Sequence, residues 1–280
     1  MIVDTHVHPI SDDRERYPLS PGEASGPDWY TAVHFTPKDC IEQMDRSGVD
    51  QMVLVSSFSA YGHDNTYCAD AAARHPDRFV GVCRVDPLAP GAPDTLSFWI
   101  ADRGMKGARL GTADPGAYAT CERAMQLGIP VALQVPSGQL DQVRRLVERF
   151  PDMKVILDHL AHPPIESGPP YGDAREFFAL REYPNLHLKF SSLNLREAAR
   201  GKSTPRAFME ALVARFGPSR LIWGSDYPHS TGSPADPYKD LVDMAREALA
   251  FLSPADREQL FAATARGLYP SLVAPKSAGI

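Results

Sequence analysis

The chain has 280 residues, about twice a modal domain but an ordinary length for an α/β barrel closed as one unit. Against 35 Asp and Glu stand 29 Lys and Arg, a net charge of −6 with no long run of one sign, so the clustered basic surface of a sequence-independent nucleic-acid binder is missing. An apolar share of 43% excludes a disordered chain, and no stretch approaches the roughly 18 consecutive apolar residues of a membrane span.

These limits predict one domain over residues 1–280, with a small molecule as partner rather than nucleic acid or membrane. They leave the oligomeric state open. Cys40, Cys68, Cys83 and Cys121 are widely separated and form no CxxC pair, so they read as reduced thiols. The first residues enter a strand-like run without a basic and then apolar leader, which predicts a cytoplasmic protein.

Short β-branched or apolar runs bounded by Gly, Pro, Asp or Ser predict eight strands, at 2–8, 51–57, 79–85, 106–111, 130–136, 154–160, 186–193 and 221–226. Helical patterns alternate with them. At 36–48, Thr36 is placed to cap, Pro37 takes the first helical position and Gly48 ends the helix. At 137–151, Leu140, Val143, Leu146 and Val147 recur at helical spacing and Pro151 ends the run. Parallel strands need crossovers, and eight strand–helix units point to a (β/α)8 barrel. An open nucleotide-binding sheet would need a glycine-rich turn after its first strand, where this chain has HVHP.

Strand starts are 49, 28, 27, 24, 24, 32 and 35 residues apart, so the first unit carries an insertion at about 9–35. Loops that follow barrel strands form the catalytic face. The insertion is therefore expected to arch over the mouth as a lid, with Tyr17, Trp29, Tyr30 or His34 available to touch substrate. The last residues, about 274–280, read as a frayed tail.

Side chains alternate along a strand, so Asp4, His6 and His8 are expected on one face, with Val3, Thr5 and Val7 toward the helices. Closing the barrel sets the eighth strand, ending LIWGSD, beside the first, which brings Asp226 to His6 and His8. A carboxylate among imidazoles suits either a metal site or a general base beside a proton shuttle. In KVILDHLAHPP the same alternation lets one of Asp158 and His159 face inward. His159 is the inward choice, Asp158 is expected to anchor a neighbouring loop, and His162 lies in the outgoing loop, in contact with substrate or with solvent. Lys189 with Ser191 is expected at the mouth, and Arg109 and Arg84 at the rim, where guanidinium groups suit capture of a substrate carboxylate.

Taken in order, IVDTHVHP, VILDHLAHPP, LHLKFSSL and LIWGSDYPH resemble the amidohydrolase superfamily, and more narrowly its amidohydrolase-2 group, which includes lactonases of pyrone dicarboxylates and sugar acids. The closing LSPADREQLFAATARGLY is similar to that group's last helix. The resemblance implies a (β/α)8 barrel with the site at the strand ends, built from His6 and His8 of strand one, His159 of strand six and Asp226 of strand eight. It also marks departures. Strand four offers Arg109 or Lys106 where many members carry a bridging Lys or Glu, and strand five offers Gln134 where they carry a His. That argues against a two-metal centre and for the lactonase branch. The expectation is one divalent ion, zinc or manganese, on His6, His8 and Asp226, although the branch also contains metal-independent enzymes.

The resulting functional expectation is hydrolysis of a carboxylated lactone, with Asp226 as general base and His159 and the strand-one pair polarising the carbonyl. Arg109, Arg84, Lys189 and His162 are the expected substrate contacts. Nonoxidative decarboxylation and a barrel that binds a small acid without turnover are the alternatives.

Overall fold

The structure is a computed structural model that describes residues 1–21, 29–229 and 237–272. All eight expected strands form: β1 Val3–Val7, β2 Gln51–Val55, β3 Phe79–Arg84, β4 Gly107–Leu110, β5 Val131–Leu133, β6 Val155–Leu157, β7 Leu186–Ser191 and β8 Leu221–Gly224. They pair in parallel in the order β1 to β8. The two edges meet past the end of β8, where the His8 amide donates to the Tyr227 carbonyl at 2.8 Å and the Asp226 amide to the His6 carbonyl at 2.8 Å. The architecture is the (β/α)8 barrel that alternating strand and helix patterns imply.

Local chemistry sets the helices. The Thr36 hydroxyl accepts from the Asp39 amide, Asp39 accepts from the Thr36 amide at 2.8 Å, and Pro37 opens helix Pro37–Ser47. Gly48, at φ 66°, closes it in the left-handed region that glycine enters at low cost. The run at 137–151 becomes a 3-10 turn and then helix Leu140–Arg149, with Leu140, Val143, Leu146 and Val147 buried. Among the described residues no helix is long and apolar enough to cross a membrane.

One alternation expectation fails in β1. The register against β2 slips between Asp4 and Val7, so the strand does not keep one face throughout. Val3 packs with Val53, Val80, Ala132, Ile156 and Ile222 in the floor of the lumen, whereas the Asp4 carboxylate accepts from the Tyr238 hydroxyl of helix Tyr238–Ala248 at 2.8 Å. Val3 is thus inside, Asp4 outside, and only beyond the slip do His6 and His8 point toward the site. Val7 packs in the helix layer as expected, with Phe35 and Cys40.

The segment around 254–268 is helical, and its Ala262, Ala265 and Leu268, with Tyr269, pack against the floor residues. It plugs the end of the lumen away from the catalytic face. The 9–35 insertion is pinched at its base by an antiparallel bridge between Ile10 and Phe35. Tyr17 and Tyr30 are buried with Ile10, Tyr61 and Tyr67 in a small separate core. Residues 22–28 of the insertion and the tail at 274–280 lie outside the described residues.

Candidate active site

The strand-one and strand-eight residues converge. Asp226 Oδ1 lies 3.3 Å from His8 Nε2 and 3.5 Å from His6 Nε2, and all three side chains are buried. Gly224 permits this approach, because a Cβ at that position would sit 2.5 Å from the His6 Cβ. Asp226 itself has φ 59°, a left-handed conformation that costs a non-glycine residue on the order of 1 kcal/mol and that turns its carboxylate into the cluster.

Strand six behaves differently from expectation. β6 ends at Leu157, and His159, Leu160, Ala161 and His162 all take φ between 49° and 58°. Strand alternation no longer applies there, so Asp158 and His159 both enter the site. Asp158 Oδ2 accepts from Arg109 Nε at 2.7 Å and its Oδ1 pairs with Lys189 Nζ at 2.8 Å. Asp158 is therefore the hub of a buried ion cluster rather than a loop anchor. Lys189, expected at the mouth, is sealed beneath the histidines with its ammonium 3.3 Å from His6 Nδ1, because Asp158 draws it inward.

The hydrogen-bond partners assign the imidazole tautomers. His8 Nδ1 is 2.9 Å from the Val55 carbonyl and must donate, which leaves a lone pair on Nε2. Lys189 has only donors to offer His6 Nδ1, so the His6 proton sits on Nε2, 3.3 Å from the His8 lone pair. Arg109 Nη2 donates toward His159 Nε2 at 3.4 Å, and His159 Nδ1 donates to Ser191 Oγ at 3.0 Å. The site is thus preordered without any charged imidazole among these three.

Ionisation follows the same company. Burial, with Lys189 and Arg109 adding to it, holds His6 well below its usual range, and burial also lowers His8. His159 is pushed down to about 4, burial outweighing Asp226 and Asp158. Burial acts to raise Asp158, but Lys189 and Arg109 reverse it and hold the carboxylate ionised. Asp226 is lowered despite burial by His159 and by the hydrogen bond from His229. The two carboxylates differ in kind: Asp158 is neutralised by cations, whereas Asp226 stays ionised among imidazoles and lines the cavity.

A cavity of about 280 Å³ opens above this cluster, lined by residues that include His8, Trp29, Arg109, Gln134, His159 and Asp226. His162 and His229 also line it. His162 stacks on His159 at 5.7 Å between ring centroids and pairs with Glu197 at 3.3 Å on its exposed side. Of the four lid candidates Trp29 reaches the cavity, 5.2 Å from His229 and 6.4 Å from His8 between ring centroids. Tyr17 instead donates to Asp70 at 2.7 Å, Tyr30 is buried in the separate core, and His34 is exposed. Arg84 lies behind Gln134, donating to its Oε1 at 2.5 Å.

Three contributors escaped the sequence reading. His229 donates toward Asp226 Oδ2 at 3.2 Å from three residues downstream, inside the same GSDYPH run. Asn194 accepts from the Ser191 amide at 3.0 Å and donates to the His159 carbonyl at 2.9 Å, tying β7 to the left-handed run. Its signal was the Ser191–Asn194 capping pair at the start of helix Ser192–Arg200. Gln134, which lines the cavity and accepts from Arg84, stands out in the sequence only as the absence of a histidine.

The donor set fits a divalent ion. One ligand atom from each of His6, His8 and Asp226 lies within 4.8 Å of the others, two imidazoles and a carboxylate being a common zinc set that leaves a position open. Asp158 with His6 and His159 satisfies the same spacing, but its charge is already taken by Arg109 and Lys189. The first set is the better candidate.

Comparison with known proteins agrees with this geometry. A family model described as amidohydrolase matches residues 3–271. An L-fucono-1,5-lactonase of Burkholderia ambifaria is 29% identical over 207 residues, covering 70% of this chain and 71% of the relative. A 2-pyrone-4,6-dicarboxylate hydrolase of Comamonas testosteroni is 24% identical over 250 residues, covering 81% of this chain and 76% of the relative. An amidohydrolase from Burkholderia multivorans, solved with bound zinc, superposes with a TM-score of 0.74 at 19% identity over 96% of this chain and 99% of its own.

Proposed function

Because this chain belongs to the amidohydrolase family, we propose that it is a hydrolase that opens a lactone ring by water attack, with Asp226 as general base. The observation that carries the reading is an ionised, buried carboxylate beside three neutral imidazoles at the floor of a small cavity. The relatives named as lactonase and pyrone-dicarboxylate hydrolase support the ester class.

Asp226 takes a proton from water while the water oxygen bonds to the lactone carbonyl carbon. The tetrahedral intermediate then breaks its bond to the ring oxygen, which receives the proton back from Asp226. The product is a hydroxy acid that releases its proton to solvent. In the resting site Arg109 turns N–H donors toward His159 and the cavity, which suits it to the developing oxyanion. His159, with its Nε2 lone pair in that direction, polarises a carbonyl only after taking up a proton. Arg84, Arg109 and His162 are the proposed substrate contacts, while Lys189 acts from below through Asp158 and His6.

A divalent ion on His6, His8 and Asp226, zinc first and manganese second, supplies Lewis acidity when bound. We assign the chain to the cytoplasm, where its four free and buried thiols suit a reducing compartment.

A pH-indicator screen of sugar-acid and aromatic-catabolite lactones, with and without zinc or manganese, tests the reading. Acid release without CO2 is the expected result, and Asp226→Asn should lower turnover by about two orders of magnitude or more with the fold intact. Release of CO2 from a carboxylated ring would establish the decarboxylase instead. Ligand binding with no turnover by the parent protein would establish a binding barrel.

A further inference from the structure

The two arginines of the rim are neighbours in register, Arg84 on β3 opposite Arg109 on β4, yet their surroundings differ. Arg109 is matched by Asp158. Arg84 is only 7% exposed, its Nε has no hydrogen-bond partner, and among the described residues it enters no ion pair. Its Nη1 rests on the neutral amide oxygen of Gln134, and its guanidinium carbon lies 4.3 Å from the Phe58 ring centre. Both Gln134 and Phe58 line the cavity that holds His8, His159 and Asp226. Burial first and the charge of Arg109 second press Arg84 down to about 9.

A buried cation without a counter-charge is costly, and the cost is recovered when an anion arrives. We propose that Arg84, with Gln134 beside it, anchors a single carboxylate, so that the substrate of this site is a small lactone carrying one negative charge. The inference deepens the lactone-hydrolase reading and rests on it. Pairing supports the number one: Arg109 and Lys189 already meet Asp158, which leaves Arg84 as the one Arg or Lys side chain of this cluster without a carboxylate. Of the Arg and Lys side chains the cavity lining itself holds Arg109, already paired with Asp158, so a second carboxylate finds no unpaired guanidinium or ammonium there. Size agrees, since 280 Å³ falls below the roughly 300–1,000 Å³ of pockets for drug-sized ligands.

Arg84 and Gln134 can hold the anion together. Its amide partner is a neutral acceptor, which a carboxylate displaces to gain charge-assisted hydrogen bonds, and the freed Gln134 amide can then donate to the same anion.

Two matched probe series separate this inference from the reading beneath it. Calorimetry uses 2-pyridone, its 6-carboxylate and its 4,6-dicarboxylate, lactams that report binding without ring opening. Kinetics use the corresponding 2-pyrones. The monocarboxylate is expected to bind best and to be opened with the highest kcat/KM, by about tenfold over either neighbour. Arg84→Met should reduce its advantage over the uncharged probe by roughly ten- to a hundredfold in both series, with Arg84→Lys keeping part of it. A dicarboxylate that binds best, or a charge preference unmoved by Arg84→Met, overturns the inference. Monocarboxylate-selective binding with no lactone opened would retain the anion anchor while removing the hydrolase reading. Should Arg84→Met fail to fold, the order of the three probes on the parent protein decides alone.

Discussion

His8 Nδ1 lies 2.9 Å from the Val55 carbonyl oxygen, and that contact orders the imidazoles beyond it. It places the His8 lone pair on Nε2, facing the proton that Lys189 keeps on His6 Nε2. An ion that uses both Nε2 atoms must shift that proton to His6 Nδ1, so the neutral imidazoles and the ionised Asp226 release no proton of their own. Zinc added to the metal-free protein in weak buffer at about pH 6 should therefore release well under one proton per ion. Protein purified without chelator is expected to carry about one equivalent, and His6→Ala with His8→Ala to lose it. Full retention of metal by the double variant, measured by elemental analysis, would remove these residues as ligands.

Asp158 holds Arg109 and Lys189 together, so its charge matters more than its volume. Asp158→Asn leaves two buried cations without their shared anion, a change expected to cost about 3–5 kcal/mol. Chemical denaturation should show it as a lower midpoint. Combining Asp158→Asn with Lys189→Met removes one of the stranded charges and should recover part of the loss. A single variant as stable as the parent would show that the cluster is solvated and contributes little.

Much of this site was legible because its signals are local. Eight apolar runs marked the strands, HxH and GSD marked the two that close the barrel, and Thr36, Pro37 and Gly48 marked a helix end to end. The failures share one cause, the assumption that alternation continues. In β1 the slip between Asp4 and Val7 exchanges the faces, and after Leu157 four consecutive left-handed residues carry His159 inward beside Asp158. Neither departure has a glycine or proline at the turning residues to announce it. Tertiary contacts impose them, through Tyr238 on Asp4 and Asn194 on the His159 carbonyl. Lys189 lies deeper than alternation alone predicts for the same reason, because its partner Asp158 faces inward.

The depressed histidines make stability depend on pH. His159 titrates at about 4 when folded and near 6.5 when unfolded, so between those values the unfolded chain binds the extra proton. Stability should rise with pH across that window and level off above it. His6 and His8, also lowered, act in the same sense. Asp4, raised to about 6 by burial against the hydrogen bonds it accepts, acts oppositely, losing its contribution as pH climbs from about 4 to 6. The comparison of variant with parent isolates one group: His159→Gln should flatten the slope of denaturation midpoint against pH between 4 and 6.5. An unchanged slope would mean that His159 titrates normally.

Trp29 provides an optical reading of the cavity. Its ring lines the cavity, 5.2 Å from His229 and 6.4 Å from His8 between centroids. Among the described residues its buried indole Nε1 meets no hydrogen-bond partner, which leaves a donor ready for a ligand oxygen. The other two tryptophans sit elsewhere, Trp99 in the helix layer and Trp223 against Phe261. Ligand entering the cavity should therefore change tryptophan fluorescence through Trp29. Trp29→Phe is expected to abolish most of that change and to raise KM by about tenfold, the worth of one lost hydrogen bond in a buried site. A ligand-induced signal of full size in Trp29→Phe would place the 9–35 insertion outside the binding step.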